Sequence, residues 1–347
     1  NRNEISMAHA RVLSKLDDDA KIIEMAHEIV ENKIPVRKLE FQAETLEKKN
    51  IPYIGIDKLN VKNIKKVINE FNPDIIHAHD MCASFFAARA CGTIPLVWHI
   101  HNNAYDSRKI NLKSVLFFFA ALKAKHIFWV SETALLGYYF HSFLTRKSSV
   151  LLNVINVEKL YKKMNEDGNT YFFDIVFVGR LTYQKNPERL IEIFKRLKEC
   201  IPEYRAAVIG DGPLRDKVSD LVREYCLEKN VILMGFKENP LKILSNSKVM
   251  LMVSRWEGLP MCVLESLALG VPVISTCRDG MSSIIKNGQN GFICDSDDEV
   301  IKVLHQILTN GCQYRIMSSK CKETSNNHND LKKYKEEIKS VYVSSVN

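Results

Sequence analysis

Long apolar runs are missing from this 347-residue sequence. No stretch approaches the roughly 20 consecutive apolar residues that a membrane-spanning helix needs, and the opening Asn-Arg-Asn-Glu shows no signal-peptide pattern. The nine cysteines include no Cys-x-x-Cys pair, which argues against a disulfide framework or a zinc site. We therefore expect a reduced, cytoplasmic protein.

Two further absences narrow the class of protein. We find no low-complexity segment or short repeat, and no stripe of basic and aromatic residues or known reader motif that would predict nucleic-acid binding. The net charge of +8 is mild; it suits an anionic membrane surface, a phosphorylated substrate or simply a solvated exterior. A chain of this length predicts two domains and a cleft between them.

Short runs rich in Val and Ile alternate with segments of helical period along the whole sequence. This alternation predicts an α/β protein with two Rossmann-like parallel-sheet domains, at 1–155 and 156–329, and a C-terminal helix, 330–347, that packs back on the first domain. Residues 153–170 are polar and are predicted to link the domains. The predicted strands are 11–16, 36–41, 51–56, 75–78, 96–100, 127–130, 174–178, 206–210, 231–235, 249–253, 271–275 and 291–294.

The helical segments fall between those strands. Pro73 and Pro95 each precede an apolar run and mark boundaries between helix and strand. The predicted helices are 20–32, 61–71, 84–90, 112–125, 187–200, 214–229, 239–245, 260–269, 297–309 and 330–342.

Two carboxylates, Glu257 and Glu265, lie eight positions apart across a predicted loop-to-helix junction that follows the strand 249–253. Pro260 suits the first helical turn, and Gly270 suits the end of that helix. The free amides of such a helix N-terminus attract anions such as a diphosphate. Carboxylates beside an anion site accept hydrogen bonds from hydroxyl groups, so this segment predicts a ligand that carries both phosphate and sugar.

Four loops of the second half together resemble a known enzyme family. They are Phe177-Val-Gly-Arg-Leu-Thr-Tyr-Gln-Lys-Asn186, Val208-Ile-Gly-Asp-Gly-Pro-Leu-Arg215, Ser254-Arg-Trp-Glu-Gly-Leu-Pro260 through Glu265, and Lys286-Asn-Gly-Gln-Asn-Gly-Phe292. Their order and spacing are similar to those of the retaining glycosyltransferases of family four, which have the two-domain GT-B fold. In the first half, Asn72–His79 and Ile94–His101 resemble the family more weakly.

The resemblance implies a nucleotide-diphosphate sugar as donor, with UDP the expected nucleotide. The family's Gly-Arg-Leu loop holds the donor diphosphate, which assigns Gly179, Arg180 and Lys185 to that group. Negative charge grows on the leaving phosphate as a glycosyl–phosphate bond breaks, and fixed cations lower that barrier. By resemblance no metal or other cofactor is required, and Lys185→Ala should abolish transfer without unfolding the protein.

Other contacts to the donor are carried over in the same way. Glu257 is assigned to hydroxyls of the donor sugar, Glu265 to the nucleotide ribose, and the amides of Met261 and Cys262 to the diphosphate. Phe236, just after a strand end, suits either a wall for the base or an ordinary core position.

His101 completes the predicted catalytic set of Glu257, Arg180, Lys185 and His101. It closes the strand 96–100, and the family places a histidine there near the donor sugar. A lone histidine is more often structural. The first domain would then bind the acceptor, a glycan or lipid-linked molecule of surface polysaccharide or glycoconjugate synthesis.

The sequence departs from the family pattern at three places. Asp17-Asp18-Asp19 stands where a double-glycine loop usually approaches the diphosphate, and three acids would repel that group. Asp279-Gly280 replaces a frequent double glycine, and Ser283 stands where a Glu is common. An inactive nucleotide-sugar-binding partner of another transferase, or an epimerase or phosphorylase of the same fold, are therefore alternative functions.

The segment 108–125 surrounds an apolar core with basic residues. This pattern suits peripheral docking on the inner face of a membrane. It suits equally an ordinary buried helix that leads into the strand 127–130.

Overall fold

The computed structural model describes residues 54–56, 58–101, 105–276 and 279–347, with only the backbone at 105–106. Residues 59–347 form one compact unit. The predicted strands 11–16 and 36–41, the predicted helix 20–32 and the acidic loop 17–19 lie outside the described residues, as does the first half of the predicted strand 51–56.

The first sheet is parallel, with the strand order β1-β2-β3-β4. All five residues of its second strand are buried, including Trp98, as an apolar run in a sheet covered on both faces should be. The sheet comprises β1 Ile76–His79, β2 Leu96–Ile100, β3 His126–Trp129 and β4 Ser148–Val150.

Polar side chains set the ends of the helices around this sheet. Asn60 accepts a hydrogen bond from the Asn63 amide at 2.8 Å, and Asn72 ends the same helix in the left-handed conformation. The Lys147 ammonium donates to the carbonyls of Leu122 and Ala124. The helices are α1 Val61–Phe71, α2 Met81–Ala90, α3 Leu112–Ala121, α4 Glu132–Gly137 and α5 His141–Leu144.

The second sheet is also parallel, with the order β10-β9-β8-β5-β6-β7. The chain runs outward from β5 through β6 and β7 and then returns to the other side of β5. The loops after β5 and β8 therefore leave the sheet in opposite directions, which opens the crevice where such sheets bind ligands. The strands are β5 Phe173–Val178, β6 Ala206–Ile209, β7 Val231–Gly235, β8 Ser247–Met252, β9 Val273–Ser275 and β10 Gly291–Ile293.

Two helices around this sheet differ from the sequence prediction. The predicted linker 153–170 contains a helix that was not predicted, Val157–Asn165, which is capped by Asn156 and buries Leu160. The helix Gly311–His328 was not predicted; it packs on the helix that follows Pro260. The helices are α6 Val157–Asn165, α7 Pro187–Cys200, α8 Arg215–Glu224, α9 Leu241–Ser245, α10 Met261–Ala268, α11 Asp297–Thr309 and α12 Gly311–His328.

The last helix, α13 Leu331–Val346, returns to the first sheet. Its Tyr334, Ile338, Val341 and Tyr342 pack against a buried group formed by Val97, Phe128 and Leu151. The two chain crossings between the sheets lie side by side, because the His328 ring bonds to the Asn153 carbonyl at 2.8 Å and the Asn329 side chain accepts from the Ile155 amide at 2.9 Å. Together the two sheets confirm the predicted two-domain α/β architecture.

Candidate active site

Two loops at the carboxyl ends of adjacent strands build the centre of the site. The loop 179–186 follows β5, and the loop 253–260 follows β8. The Arg255 amide donates to the Gln184 carbonyl at 2.8 Å, and the Arg255 guanidinium donates to the Asn186 side chain at 2.8 Å and covers the Tyr183 ring at 4.2 Å. Gln184 returns a hydrogen bond to the Trp256 carbonyl. The two predicted motifs are thus one structural unit.

Lys185 and Glu257 meet across this junction. The Lys185 ammonium lies 2.6 Å from a Glu257 carboxylate oxygen, and Glu257 is only 4% exposed. Gly179 lies beside the lysine, because a Cβ there would be in ordinary contact with the Lys185 side chain, at 3.6 Å. An ammonium has three donors, so Lys185 can hold Glu257 and still donate to a phosphate. The structure therefore brings three predicted site residues together.

Arg180 extends from the same loop but lies in a different environment. It is exposed, and its guanidinium has no hydrogen-bond or ion-pair partner within the described parts of the chain. A planar guanidinium of this kind can bind two phosphate oxygens at once. Arg180 is thus available for an anion, whereas Lys185 is shared with Glu257.

Asp279 connects Glu257 to the first half of the chain. Both Asp279 carboxylate oxygens lie 2.9 Å from one Arg108 guanidinium nitrogen, and the carboxylate also accepts from the Glu257 amide at 3.2 Å. Arg108, the first basic residue of the segment 108–125, is thus half-buried and paired with Asp279. Sequence reasoning noted Asp279 only as a departure from the family pattern, because nothing in the sequence pairs it with Arg108.

Gly258 lies at a close approach between the two halves. A Cβ at Gly258 would lie 2.1 Å from the His101 carbonyl oxygen and 2.9 Å from the Val130 side chain, and a Cβ at Gly280 would lie 1.6 Å from the Gly258 carbonyl oxygen. Only glycine fits at these two positions. The contact brings His101 against the loop that carries Glu257.

The helix α10 begins beside this loop. Pro260 occupies its N-cap position and provides no side-chain cap, which leaves first-turn amides for another acceptor. Met261 is exposed and Cys262 half-buried. Burial raises the pKa of the Cys262 thiol to about 12, although the nearby Lys185 charge opposes the rise. The helix thus presents amides and a neutral thiol next to the Lys185–Glu257 pair.

Glu265 lies in the second turn of the same helix and is half-buried. Burial raises the pKa of its carboxyl group, while the Lys163 charge acts in the opposite direction. In the part of the chain that the structure describes, no side chain or amide donates to this carboxylate. A half-buried acceptor without a donor suits a ligand hydroxyl.

Two other sequence hypotheses concern the rim of the site. Phe236 follows β7 and is 47% exposed, so the core alternative for this ring is wrong. The Gly210-Asp-Gly-Pro turn is a close backbone crossing, since a Cβ at Gly210 would lie 1.8 Å from the Gly179 carbonyl oxygen. This turn supports the loop that carries Arg180 and Lys185.

His101 belongs to a cluster of four histidines at the ends of β1 and β2. Its Nε2 lies 2.8 Å from His79 Nδ1, and its amide donates to Asp80 at 3.3 Å. Burial, followed by the neighbouring rings, lowers the pKa of His77 to about 4 and that of His99 to about 3. Burial also lowers the pKa of His101, although the Asp80 charge raises it.

Within the apolar segment 108–125, the helix α3 has one buried face and one exposed face. One face of α3 buries Phe117 and Ala121 in the first core. The other face leaves Leu112 and Phe119 exposed by 75% and 62%, and Ile110 beside them is also exposed. Among the described residues, no helix has both the length and the apolar character needed to cross a bilayer.

Most of the chain matches models of known protein families. Residues 159–328 match the model described as glycosyl transferases group 1, and residues 37–151 match glycosyltransferase family 4. Residues 1–48 match the ParB HTH domain, in the part of the chain where the acidic loop 17–19 departs from the resemblance and where the structure describes no residue.

Individual proteins agree with these matches. An uncharacterized glycosyltransferase of Methanocaldococcus jannaschii is 32% identical over 64% of this chain, and the chain spans 60% of that relative's length. The UDP-Gal:alpha-D-GlcNAc-diphosphoundecaprenol alpha-1,3-galactosyltransferase of Escherichia coli is 27% identical over 84% of the chain and 80% of its own length. The crystal structure of Anabaena HepE in complex with UDP-glucose superimposes with a TM-score of 0.75 at 17% identity and covers 87% of this chain and 88% of that one. This last likeness shows the fold.

Proposed function

We propose that this chain, which belongs to the group 1 and family 4 glycosyltransferases and has their GT-B fold, moves a sugar from a UDP-sugar to a glycan or lipid-linked acceptor. The Lys185–Glu257 pair carries this proposal, because it places a cation and a carboxylate in the crevice where the strand order reverses. The E. coli relative is named as a galactosyltransferase that acts on a diphosphoundecaprenol-linked sugar with UDP-galactose, which supports the class of donor and acceptor.

The donor diphosphate would lie between Arg180, the second and third donors of Lys185, and the first amides of α10. Lys185, held by Glu257, and the backbone amides of α10 are fixed before the reaction, so they would stabilise the charge that develops on the leaving phosphate without reorganisation. Glu257, held by Lys185 and through its amide by Asp279, would accept hydrogen bonds from the sugar hydroxyls. Glu265 would accept them from the ribose.

The reaction would retain the anomeric configuration. Glu257, engaged by Lys185, would serve as a hydrogen-bond acceptor instead of a nucleophile. The resemblance to the family then implies that the acceptor hydroxyl attacks on the face from which the diphosphate leaves. The C1–O bond to the diphosphate breaks, the bond to the acceptor oxygen forms, and the departing phosphate oxygen takes the acceptor proton. Arg180 and Lys185 supply the positive charge for this step, as the resemblance to the family implies.

The test is turnover on a panel of nucleotide sugars with a lipid-linked acceptor, measured as free UDP and as glycosylated product, with the product's anomeric configuration read by NMR. Arg180→Ala should lower turnover by at least about a hundredfold, whereas Arg315→Ala, an exposed arginine on α12, should not. Calorimetric UDP binding without any product from the panel would favour the inactive-partner alternative, and a sugar altered without transfer would favour an epimerase.

We also propose that the apolar face of α3 touches the membrane that holds such an acceptor. The segment that carries exposed Leu112 and Phe119 also carries exposed Lys123 and Lys125, a combination that suits an anionic interface. Leu112→Ser with Phe119→Ser should reduce co-sedimentation with vesicles that contain phosphatidylglycerol and leave UDP binding unchanged. Equal sedimentation of the variant and the unaltered chain would exclude this contact.

A further inference from the structure

We propose that His77, His79 and His99 form a binding site for a divalent transition-metal ion of the zinc class. Residues two apart on a strand point to the same face, so His77 and His79 share one face of β1. The parallel register then places His99 of β2 opposite His79. One ligand nitrogen from each of the three rings lies within 4.8 Å of the others.

The buried rings of this cluster have polar atoms that no protein group satisfies. His99 is 1% exposed, and within the described residues neither of its ring nitrogens has a hydrogen-bond partner. The same is true of His77 Nε2. Leaving a buried donor or acceptor unpaired costs about 1–3 kcal/mol, so unpaired nitrogens on two neighbouring rings, His77 and His99, indicate a missing partner. A metal ion supplies one partner to several rings at once.

The geometry allows a coordination sphere after a small adjustment. Zinc binds imidazole nitrogen at about 2.0–2.1 Å, which places tetrahedral ligands about 3.3 Å apart. The three rings lie within 30° of parallel, so they must rotate to direct their lone pairs to one point. His79 is exposed, and the χ2 torsion of histidine has a broad minimum. Three imidazoles on a sheet with a fourth position open are a set that zinc accepts.

Hydrogen bonds to the opposite ring nitrogens would orient two of the ligands. Tyr342 of α13 bonds to His77 Nδ1 at 2.5 Å, and His101 Nε2 lies 2.8 Å from His79 Nδ1. Metal-bound histidines usually have a partner of this kind, which fixes the tautomer of the ring. With the ion on His79 Nε2, His79 Nδ1–H would donate to His101 Nε2, and the proton of a neutral His101 would be on its Nδ1.

The three ligands of this site are not among the proposed donor contacts, Arg180 and Lys185. It supplies no charge to the diphosphate, so the expectation that transfer itself needs no metal is unaffected. The ion would instead fix the ends of β1 and β2 and the orientation of His101. The inference does not rest on the proposed function, because metal binding can be measured without turnover.

The experiment uses the full chain with any affinity tag removed and bound metal stripped by a chelator. Zinc content after dialysis should reach one equivalent per chain, and cobalt should give the visible absorption of a tetrahedral nitrogen site. Competition with a chromophoric chelator should show zinc affinity lowered more than about tenfold in His79→Gln and in His99→Asn. His305→Ala, an exposed histidine on α11, is the matched control and should bind like the unaltered chain.

Three results would overturn the proposal. They are the failure of zinc to bind stoichiometrically, unchanged affinity in both cluster variants, and an equal loss in the His305 control, which would indicate scattered surface binding. His79 is exposed, so His79→Gln should fold and decide the question even if the buried His99→Asn does not. Zinc should also raise the melting temperature of the unaltered chain and not that of His79→Gln.

Discussion

The carbonyl oxygen of His101 lies so close to Gly258 that a Cβ at Gly258 would come within 2.1 Å of it. One residue closes a strand of the first sheet, and the other follows Glu257 on a loop of the second. The backbone of one half therefore touches the backbone of the other at the residues predicted for chemistry. Contacts between main chains leave no side chain that can move aside.

Gly258→Ala should therefore separate the two halves at this point. We expect a loss of about 1–3 kcal/mol in the free energy of unfolding, together with a large fall in sugar transfer, because His101 would be displaced from Glu257. Urea denaturation and the turnover assay measure the two effects. Gly311→Ala, where an added Cβ meets nothing within 4 Å, is the matched control, and equal behaviour of the two variants would contradict the contact.

The Lys185–Glu257 pair predicts that the stability losses caused by substituting its two residues are not additive. Lys185→Met leaves a carboxylate buried without its cation, which should cost about 3–5 kcal/mol of stability. The sequence alone predicted that removal of Lys185 abolishes transfer without unfolding the protein. The burial of the pair adds a loss of stability to that prediction. Adding Glu257→Gln to Lys185→Met should recover part of this loss, as measured in a double-mutant cycle by urea unfolding. Simple addition of the two single effects would argue against a coupled pair, and every variant should lose transfer.

Glu265 predicts a discrimination between nucleotides. A hydrogen bond to a charged acceptor contributes about 1.5–3 kcal/mol, so calorimetry should show UDP binding at least about tenfold tighter than 2′,3′-dideoxy-UDP. Glu265→Gln should lower the affinity for UDP and reduce the ratio of the two affinities. Glu323→Gln, on an exposed face of α12, should change neither the affinity nor the ratio. An unaltered ratio in Glu265→Gln would remove this residue from the ribose site.

We expect the Cys262 thiol to be alkylated slowly. The thiolate is the reactive form, and a pKa raised to about 12 by burial keeps the thiol neutral at pH 8. Iodoacetamide should modify exposed Cys200 and Cys312 first, with Cys262 reacting appreciably only as the pH rises toward 12. Peptide mass spectrometry at several pH values measures the order, and rapid labelling of Cys262 at pH 8 would contradict the burial.

Much of the fold was accessible from the sequence because the buried strands are short apolar runs between clear boundaries. The predicted bounds of β2, β7, α1, α7 and α11 agree with the structure. The helix α6 was missed because four of its nine residues are charged and only Leu160 is buried. The helix α12 was missed for a similar reason: its polar and apolar residues show little periodicity, and its few buried residues are fixed by contact with α10.

The candidate site shows where sequence reasoning ends. Motif order predicted that the loops of Lys185 and Glu257 belong together, because both follow parallel strands. It did not predict that Arg108 bonds to Asp279 or that Gly258 meets His101, because these are contacts between distant segments and depend on tertiary packing. Two His-x-His patterns, at 77–79 and 99–101, were the available signal for the histidine cluster, and their meaning depended on the register of β1 and β2.

The chain passes between its two sheets twice, and the passages are tied together by His328 with Asn153 and by Asn329 with Ile155. Two adjacent tethers permit bending about the line that joins them and oppose twisting of one half against the other. Opening and closing of the crevice should therefore be a hinge rotation about a single axis. A cut in the polypeptide near residue 329 would free a second rotation while leaving both sheets intact.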